Sequence, residues 1–425
     1  MPNPLIVIMI DGVSADYALT ERGRLPHLSS LAKRGFQVER LRAEVPGTSL
    51  PGRTSMLTGA TADVSGVWGN KIWDGNEFRY ASPDDVRVPT LPARAKAAGK
   101  SVAVLGFGMI RPEDANIFQG PWWVASMMQR ARDAEPVPSN SSWLRVALHR
   151  NTHPDFVAVM EAAGLPTALP IPSGNLPAAN DLAARLVGGA IGDMLMLNWV
   201  GALAASDRCP DLIIAESLMT DYAQHYSGYK SAAGHWSVQY ADMQVGLVLE
   251  RLRQAGKLDS VNIAVMSDHG HSPIEKAIRP DAIIPDVTHC SEGSLLHIVA
   301  KDADELARAE AALAEYGCER YASDHVPPEF RDVVVTFVAP PLTSFETESP
   351  NPEKQPILPP TAISSHGLKP GMPGDDRMCI FAGPDVPNGV QQSAAAAQIA
   401  PTFAALMGLD TRDFAAAPLF EVVQA

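Results

Sequence analysis

Cysteine is scarce in this chain: Cys209, Cys290, Cys318 and Cys379 lie scattered through 425 residues, with no CxxC spacing. That points away from a disulfide framework and predicts free, buried thiols in a reducing compartment. Excess positive charge is lacking too, since 34 Lys and Arg face 48 Asp and Glu for a formal charge of −14. A general affinity for nucleic acid or an anionic membrane does not fit that balance. An anionic substrate would need local positive charge at its site, and bound metal is one source of it. No apolar stretch is read as reaching the roughly 20 residues that a membrane helix requires. Nor does the N-terminus, Met-Pro-Asn-Pro running straight into Leu5 to Ile10, carry the basic and small-residue flanks of a secretory signal. The expectation is a cytoplasmic protein with neither nucleic acid nor membrane as partner, its oligomeric state open.

Hydrophobic residues are plentiful at 46%, against 19% charged, so a sizeable core is easily built. The length suits two or three domain-sized units, or one α/β body with long insertions. Residues 5–10 form a β-rich apolar run that ends in Asp11-Gly12, the pattern of a buried parallel strand. A helical pattern opens at Leu25-Pro26 and ends at Gly35, and another spans 88–98. Ser101 to Gly106, Asp211 to Ala215 and Val261 to Met266 repeat the strand signal, with a long amphipathic helix at 237–254 and an Ala-rich one near 393–407. Such alternation predicts an α/β fold: a three-layer α/β/α sandwich with a mostly parallel central sheet. Two regions break the rhythm. Residues 110–200 read as an insertion or cap, partly core, marked by Trp122, Trp123, Met127, Met128, Pro136 and Pro138. Residues 276–360 read as a second inserted subdomain with a Pro-rich extended run from Pro340 to Pro360. The catalytic core is then 1–109, 201–275 and 361–425.

Ligands gather at the carboxyl ends of strands in open α/β sheets. Asp11 follows the first strand, and Asp221 and His225 follow the strand at 211–215 with the i, i+4 spacing of one helix face. Asp268-His269 follows the strand at 261–266, and His366 sits in Ser364-Ser365-His366-Gly367. Each is a common loop feature by itself; their joint occurrence after successive strands is not. Three Asp and three His without cysteine suit a borderline-hard divalent metal such as Zn or Mn, and suffice for two sites of three ligands each.

The segment from Val45 to Gly59 carries a candidate nucleophile in Ser49-Leu50-Pro51-Gly52-Arg53. A hydroxyl beside a divalent metal is acidified into a usable nucleophile, and a helix N-terminus welcomes an anion. Pro51 fits a first helical position, with Ser49 just before it. On these residues alone, Thr48 and Ser49 fit equally as helix caps.

The order of Asp11-Gly12, the Pro46–Gly59 segment, Asp221xxxHis225, Asp268-His269-Gly270 and Ser365-His366-Gly367 resembles the alkaline phosphatase superfamily. Within it the chain is most similar to the nucleotide pyrophosphatase/phosphodiesterase branch and its relative phosphonoacetate hydrolase. Ser49-Leu50-Pro51 takes the place of that branch's Thr-x-Pro, Thr58-Gly59 closes the motif, and Asn70 ends the stretch from Ser65. The resemblance implies two zinc ions, one held by Asp11, Asp268, His269 and the Ser49 oxygen, the other by Asp221, His225 and His366. It implies a covalent phospho-serine on Ser49, Asn70 as a donor to a non-bridging oxygen, and Arg53 as a further substrate contact. The substrate would be a small phosphorus-containing anion, a phosphodiester or a phosphonate. Ser49-x-Pro51-x-Arg53 also fits the sulfatase signature, although Asp11-Gly12 lacks the paired aspartates of that family. A phosphonoacetate-type C–P hydrolase, a phosphomutase and a non-catalytic binding protein complete the alternatives. His271 lies close enough to the metals to support them; His289 and His297 read as core or loop residues.

Overall fold

The computed structural model describes residues 2–124, 142–149, 151–168, 182–347 and 350–423. Its centre is a sheet of eight strands: β1 (Leu5–Ile10), β2 (Phe36–Arg42), β3 (Val102–Leu105), β4 (Ile117–Gln119), β5 (Leu212–Ser217), β6 (Asn262–Met266), β7 (Arg377–Ala382) and β8 (Gly389–Ala395). The order across the sheet is β8-β2-β7-β6-β1-β5-β3-β4. Only β7 runs antiparallel to its neighbours.

Side-chain alternation divides each central strand between two cores. Leu5, Val7 and Met9 of β1 join Leu212, Ile214, Val102 and Val104 on one face, under helices that supply Met56, Leu57, Ile399 and Phe403. Ile6, Ile8 and Ile10 join Ile213, Ala215, Ala103 and Leu105 on the other, under Leu28, Leu31, Leu203, Val238 and Val245. The covering helices are α1 (Pro26–Lys33), α2 (Ser49–Thr58), α3 (Leu182–Ala205), α4 (Met219–Ser227), α5 (Ala232–Gln254) and α6 (Ile399–Leu406). The three-layer α/β/α sandwich is therefore present. A fully buried β1 explains why its sequence shows an unbroken apolar run where a half-exposed strand would alternate.

The stretch at 276–360 holds a four-stranded antiparallel sheet with helix Ala303–Ala314. It has a core of its own, with Leu296, Ile298, Leu313, Val335 and Phe337 among its members. The 110–200 stretch gives the central sheet its edge strand β4 and most of α3; Met127, Met128, Pro136 and Pro138 lie outside the described residues.

Three expectations need correction. Residues 389–395 are strand β8, because they pair in parallel with β2, so the last helix shortens to Ile399–Leu406. Cys209 is only half-buried, although all four thiols are free. Leu186–Ala205 is, among the described residues, one helix long and apolar enough to cross a membrane. Gly and Ala dilute its pattern in the sequence, and 61% of the stretch is buried within the fold.

Trp199 of α3 is fully buried, 5.4 Å from the Phe156 ring, and donates to the Pro166 carbonyl at 2.8 Å. Trp199→Ala is expected to cost about 3–5 kcal/mol, as large-to-small core changes do. A denaturant midpoint unchanged from wild type would show that α3 is not part of the core.

Candidate active site

Strands β6, β1 and β5 are neighbours in register, so their carboxyl ends meet. Asp11 and Asp268 leave β1 and β6 there, while Glu216 belongs to β5 itself. Asp11 and Asp268 are fully buried and Glu216 is 3% exposed. Helix α4 begins just beyond β5 and places Asp221 and His225 one turn apart on one face. His366 arrives because Ser364–Ser365 pairs with Ser272–Pro273, directly after the Asp268-His269 turn.

Helix α2 closes the group. Thr48 is its N-cap and Ser49 its first residue, so Pro51 stands third instead of first. Ser49 Oγ lies 3.1 Å from His269 Nε2, which is itself 3.1 Å from Asp11 Oδ1. The helix can sit this close because residue 52 is glycine: a Cβ there would fall 2.0 Å from the Asp268 carbonyl oxygen.

Asp221 Oδ1 is surrounded by imidazoles, at 3.3 Å from Nε2 of His225, 3.3 Å from that of His271, 3.9 Å from His269 and 4.0 Å from His366. Ser364 sets two of these rings. Its carbonyl takes the His225 Nδ1 contact at 2.8 Å, and its hydroxyl meets His271 Nδ1 at 2.5 Å. Binding one ring nitrogen fixes where the other points.

The electrostatics call for cations. Three buried carboxylates, Asp11, Glu216 and Asp268, face the Arg53 guanidinium, and a fourth, Asp221, faces the imidazoles. Burial, then the neighbouring Asp268, pushes the Asp11 carboxyl up to about 8. Burial works against charge on His269, yet Asp268 and Asp11 push it up to about 10. Burial would also raise Asp221, but His225, His271 and His366 hold it well below the usual carboxylate range. Burial, with His269 close by, keeps His366 neutral, the form a metal ligand needs.

Two sets, each with its donor atoms within 4.8 Å of one another, could hold a metal ion: Asp221, His225 and His366, and Asp11, Asp221 and His269. Asp11 Oδ1, Asp221 Oδ1, Asp268 Oδ2 and His366 Nδ1 are buried without a hydrogen bond. Buried polar atoms of this kind need a partner, and an oxygen and imidazole donor set fits a divalent cation. The second set has Asp221 where Asp268 was expected. Asp268 Oδ2 stands 3.2 Å from Arg53 and 3.8 Å from His269 Nε2, at the edge of the same group.

The model of the family "Type I phosphodiesterase / nucleotide pyrophosphatase" matches residues 5–357. The chain belongs to that family. This places it in the nucleotide pyrophosphatase/phosphodiesterase branch of the alkaline phosphatase superfamily, as its motif order implied. An uncharacterized pyrophosphatase/phosphodiesterase of Schizosaccharomyces pombe is 25% identical over 275 residues, 64% of this chain and 45% of its own length. Alkaline phosphatase PhoK of Sphingomonas sp is 22% identical over 330 residues, 66% and 57% of the two chains. Ectonucleotide pyrophosphatase/phosphodiesterase family member 3 of Mus musculus is 24% identical over 63% of this chain and 25% of its own. The chain thus spans less than two thirds of each of these relatives. Among solved structures, murine ectonucleotide pyrophosphatase/phosphodiesterase 5, inactive and in complex with AMP, superposes with TM-score 0.66 at 15% identity, over 97% of this chain and 96% of that one. Its human counterpart gives 0.65 at 14%, over 96% of each. At such identity the likeness concerns the fold alone.

For this phosphodiesterase-family chain, the expected ligand residues Asp11, Asp221, His225, Asp268, His269 and His366 come together with Ser49, although the family match ends before His366. Asn70 is there as well, its Oδ1 accepting the Leu50 N–H at 2.8 Å. Arg53 is the correction. It is neither on the helix surface nor open to substrate: it is 1% exposed, hydrogen-bonds Asp11 at 2.5 Å and Glu216 at 3.1 Å, and forms an ion pair with Asp268 at 3.2 Å. Those carboxylates outweigh burial and keep it protonated. Trp122 and Trp123, considered as a wall for a leaving group, hydrogen-bond through their indole N–H groups to Asp193 and Glu216.

Glu216 and Glu292 went unrecognised, whereas His271 lies beside Asp221 at 3.3 Å, close to the ligand residues as expected. Glu216 lies inside an apolar strand run, and Glu292 ends a polar strand of the inserted sheet, outside the catalytic core. A charged residue within a buried β-run was the available signal for Glu216.

Removing the guanidinium strands three buried carboxylates. Arg53→Met is expected to lower stability by about 3–5 kcal/mol and to weaken retention of metal. Arg53→Lys should recover only part, as a point charge cannot reach three acceptors. Thermal melts and elemental analysis check this, and a fully stable Arg53→Met would contradict the arrangement.

Proposed function

We propose that this chain is a two-metal hydrolase that opens phosphodiesters or phosphonates through a covalent phospho-serine at Ser49. The observation that carries the proposal is the Ser49 hydroxyl, at the first residue of α2 and 3.1 Å from His269, beside two Asp/His donor groups. One metal would be held by Asp221, His225 and His366, the other by Asp11, Asp268 and His269 with the Ser49 oxygen, and zinc is the metal expected for these donors. Bound there, divalent cations acidify a hydroxyl or water and offset charge on the phosphoryl group.

The chain's own residues do the rest. Ser49 Oγ attacks phosphorus, the leaving group departs on the opposite side, and water later cleaves the phospho-serine ester to return the hydroxyl. The open N-terminal turn of α2 offers backbone N–H groups and its positive dipole end to the phosphoryl oxygens. Asn70 turns its carboxamide oxygen to Leu50 N–H, which leaves its NH2 group to donate to a non-bridging oxygen. His269, with its Nδ1 against the Gly270 carbonyl at 2.9 Å, faces the nucleophile through Nε2.

Charge favours a diester, or a phosphonate monoester of the same single charge, over a monoester dianion. Arg53 was the cation considered for the additional charge, and it is committed to three carboxylates. Asn70 is a neutral donor suited to a single negative charge. The AMP bound by the murine structural neighbour supports a small phosphorus-containing ligand. The Sphingomonas relative is named an alkaline phosphatase, which makes the monoester the comparison to run.

Steady-state kcat/KM on matched aryl diesters, phosphonates, monoesters and sulfates is expected to favour the first two by tenfold or more, about 1.4 kcal/mol in transition-state binding. A monoester or sulfate preference of that size overturns the substrate class. Ser49→Ala should abolish turnover while most metal is retained, and Thr48→Ala should do much less. His366→Ala should lose metal in elemental analysis, and full activity without metal would end the two-metal reading.

A further inference from the structure

We infer that Glu292, contributed by the inserted sheet, is a positioning residue that fixes Asn70 beside Ser49. This rests on the preceding reading in giving Asn70 the role of oxyanion donor.

Glu292 ends strand Thr288–Glu292 and is 3% exposed. Its carboxylate points away from its own sheet to the loop that carries Asn70. Oε2 accepts the Asn70 N–H at 3.0 Å and Oε1 accepts the Lys71 N–H at 2.7 Å. Neither of these two bonds reaches the nucleophile directly, and the carboxylate also lies beside the hydroxyl of Thr48, the N-cap next to Ser49; the effect assigned to it passes through Asn70. That residue is held at three points: its N–H by Glu292, its carbonyl by Ala81 N–H at 3.0 Å, and its side-chain oxygen by Leu50 N–H at 2.8 Å. Flipping the carboxamide would set its NH2 against that last N–H, so its donor direction is determined.

The far side of Glu292 is anchored as firmly. The turn after it passes through Gly293, at φ +72°, where a Cβ would fall 1.9 Å from the His366 carbonyl oxygen. Ser294 N–H donates to the Gly367 carbonyl at 2.9 Å, and Gly367 N–H donates to that of Gly47 at 2.8 Å. The tip of one hairpin is thus wedged between the loop of an oxyanion donor and the loop of a metal ligand. Burial pushes the Glu292 carboxyl up to about 7 while the Lys71 and Asn70 N–H groups hold it down, and deleting it orphans both donors. The insertion therefore reaches the reaction centre through its backbone and a carboxylate, without presenting a group to the substrate. Catalytic donors lose rate steeply when displaced by fractions of an ångström.

The test is a double-mutant cycle on the metal-loaded full chain, with bis(p-nitrophenyl) phosphate as the probe, joined to melting temperature and metal content. Glu292→Ala is expected to lower kcat about tenfold or more, on the scale of a misplaced oxyanion donor, with KM changed little and metal content unchanged. Glu292→Gln, which keeps one acceptor oxygen, should fall between this and wild type; it also decides the matter if the alanine variant does not fold. In an Asn70→Ala background, removing Glu292 should have little further effect on kcat, because residues acting as a unit are not additive. Fully additive losses overturn the inference, as does a loss of metal that runs parallel with the loss of rate, since Glu292 would then act through His366. An Asn70→Ala variant with undiminished kcat overturns the reading of Asn70 itself. A slow Asn70→Ala beside an unaffected Glu292→Ala and Glu292→Gln overturns this inference alone.

Discussion

One guanidinium holds the centre together. Three neighbouring parallel strands deliver Asp11, Glu216 and Asp268 to the same end of the sheet, where burial forbids their charges from spreading into water. Arg53 is placed between them from a different element, α2, and its planar fork can serve all three at once. Such a cluster is costly to desolvate, so its geometry is confined to the one arrangement that satisfies it. Ser49 lies one turn before Arg53 on that helix, on the same face. The charge cluster that fixes Arg53 therefore also fixes the height and rotation at which the serine hydroxyl meets His269. Gly52, between the two, removes the Cβ that would keep the helix off the backbone of Asp268.

Most of this centre was legible in the sequence, for a physical reason. Buried parallel strands read as unbroken apolar runs, so the acidic or imidazole residues that follow them stand out, as Asp11, Asp268 and His269 do. The i, i+4 pair Asp221 and His225 carries its own helical spacing. What stayed illegible depends on contacts across long separations. Arg53 and Glu216 are 163 residues apart, and nothing near Arg53 announces that its charge is spent inward. Strand β8 was misassigned because its Ala-rich end looks helical by composition, whereas pairing with β2 decides it. The apolar content of α3 was missed because small residues dilute its pattern, yet it is Trp199, Leu203 and their neighbours that fill the second core.

The two insertions prove unlike each other in how they join the sandwich. The first is built into it, adding β4 to the sheet edge and α3 to one helical layer. Its Trp123 reaches Glu216 and lies with its ring 5.6 Å from the Arg53 guanidinium, so it braces the charge cluster from outside. The second insertion has its own sheet and core and touches the centre through a hairpin tip at Glu292. The second inserted region is thereby tied, through one carboxylate, to the loop that carries Asn70.

Charge explains why such support is needed. The chain as a whole is negative by 14, so an anionic substrate gains nothing from the general field of the protein. Attraction has to be local, and the local fixed cation, Arg53, is already neutralised by the carboxylates around it. Among the described residues, those that the proposed function leaves to receive a phosphoryl group are the positive end of α2, the Asn70 amide and the Asp/His groups with whatever cations they hold. Dipoles and amides act only over short distances and in defined directions, which makes their placement a stricter requirement than that of a lysine or arginine. The hydrogen bonds spent on orienting Asn70, His225 and His271 from behind follow from that requirement: a site whose attraction is built from directional donors has to be held rigid, or it attracts nothing.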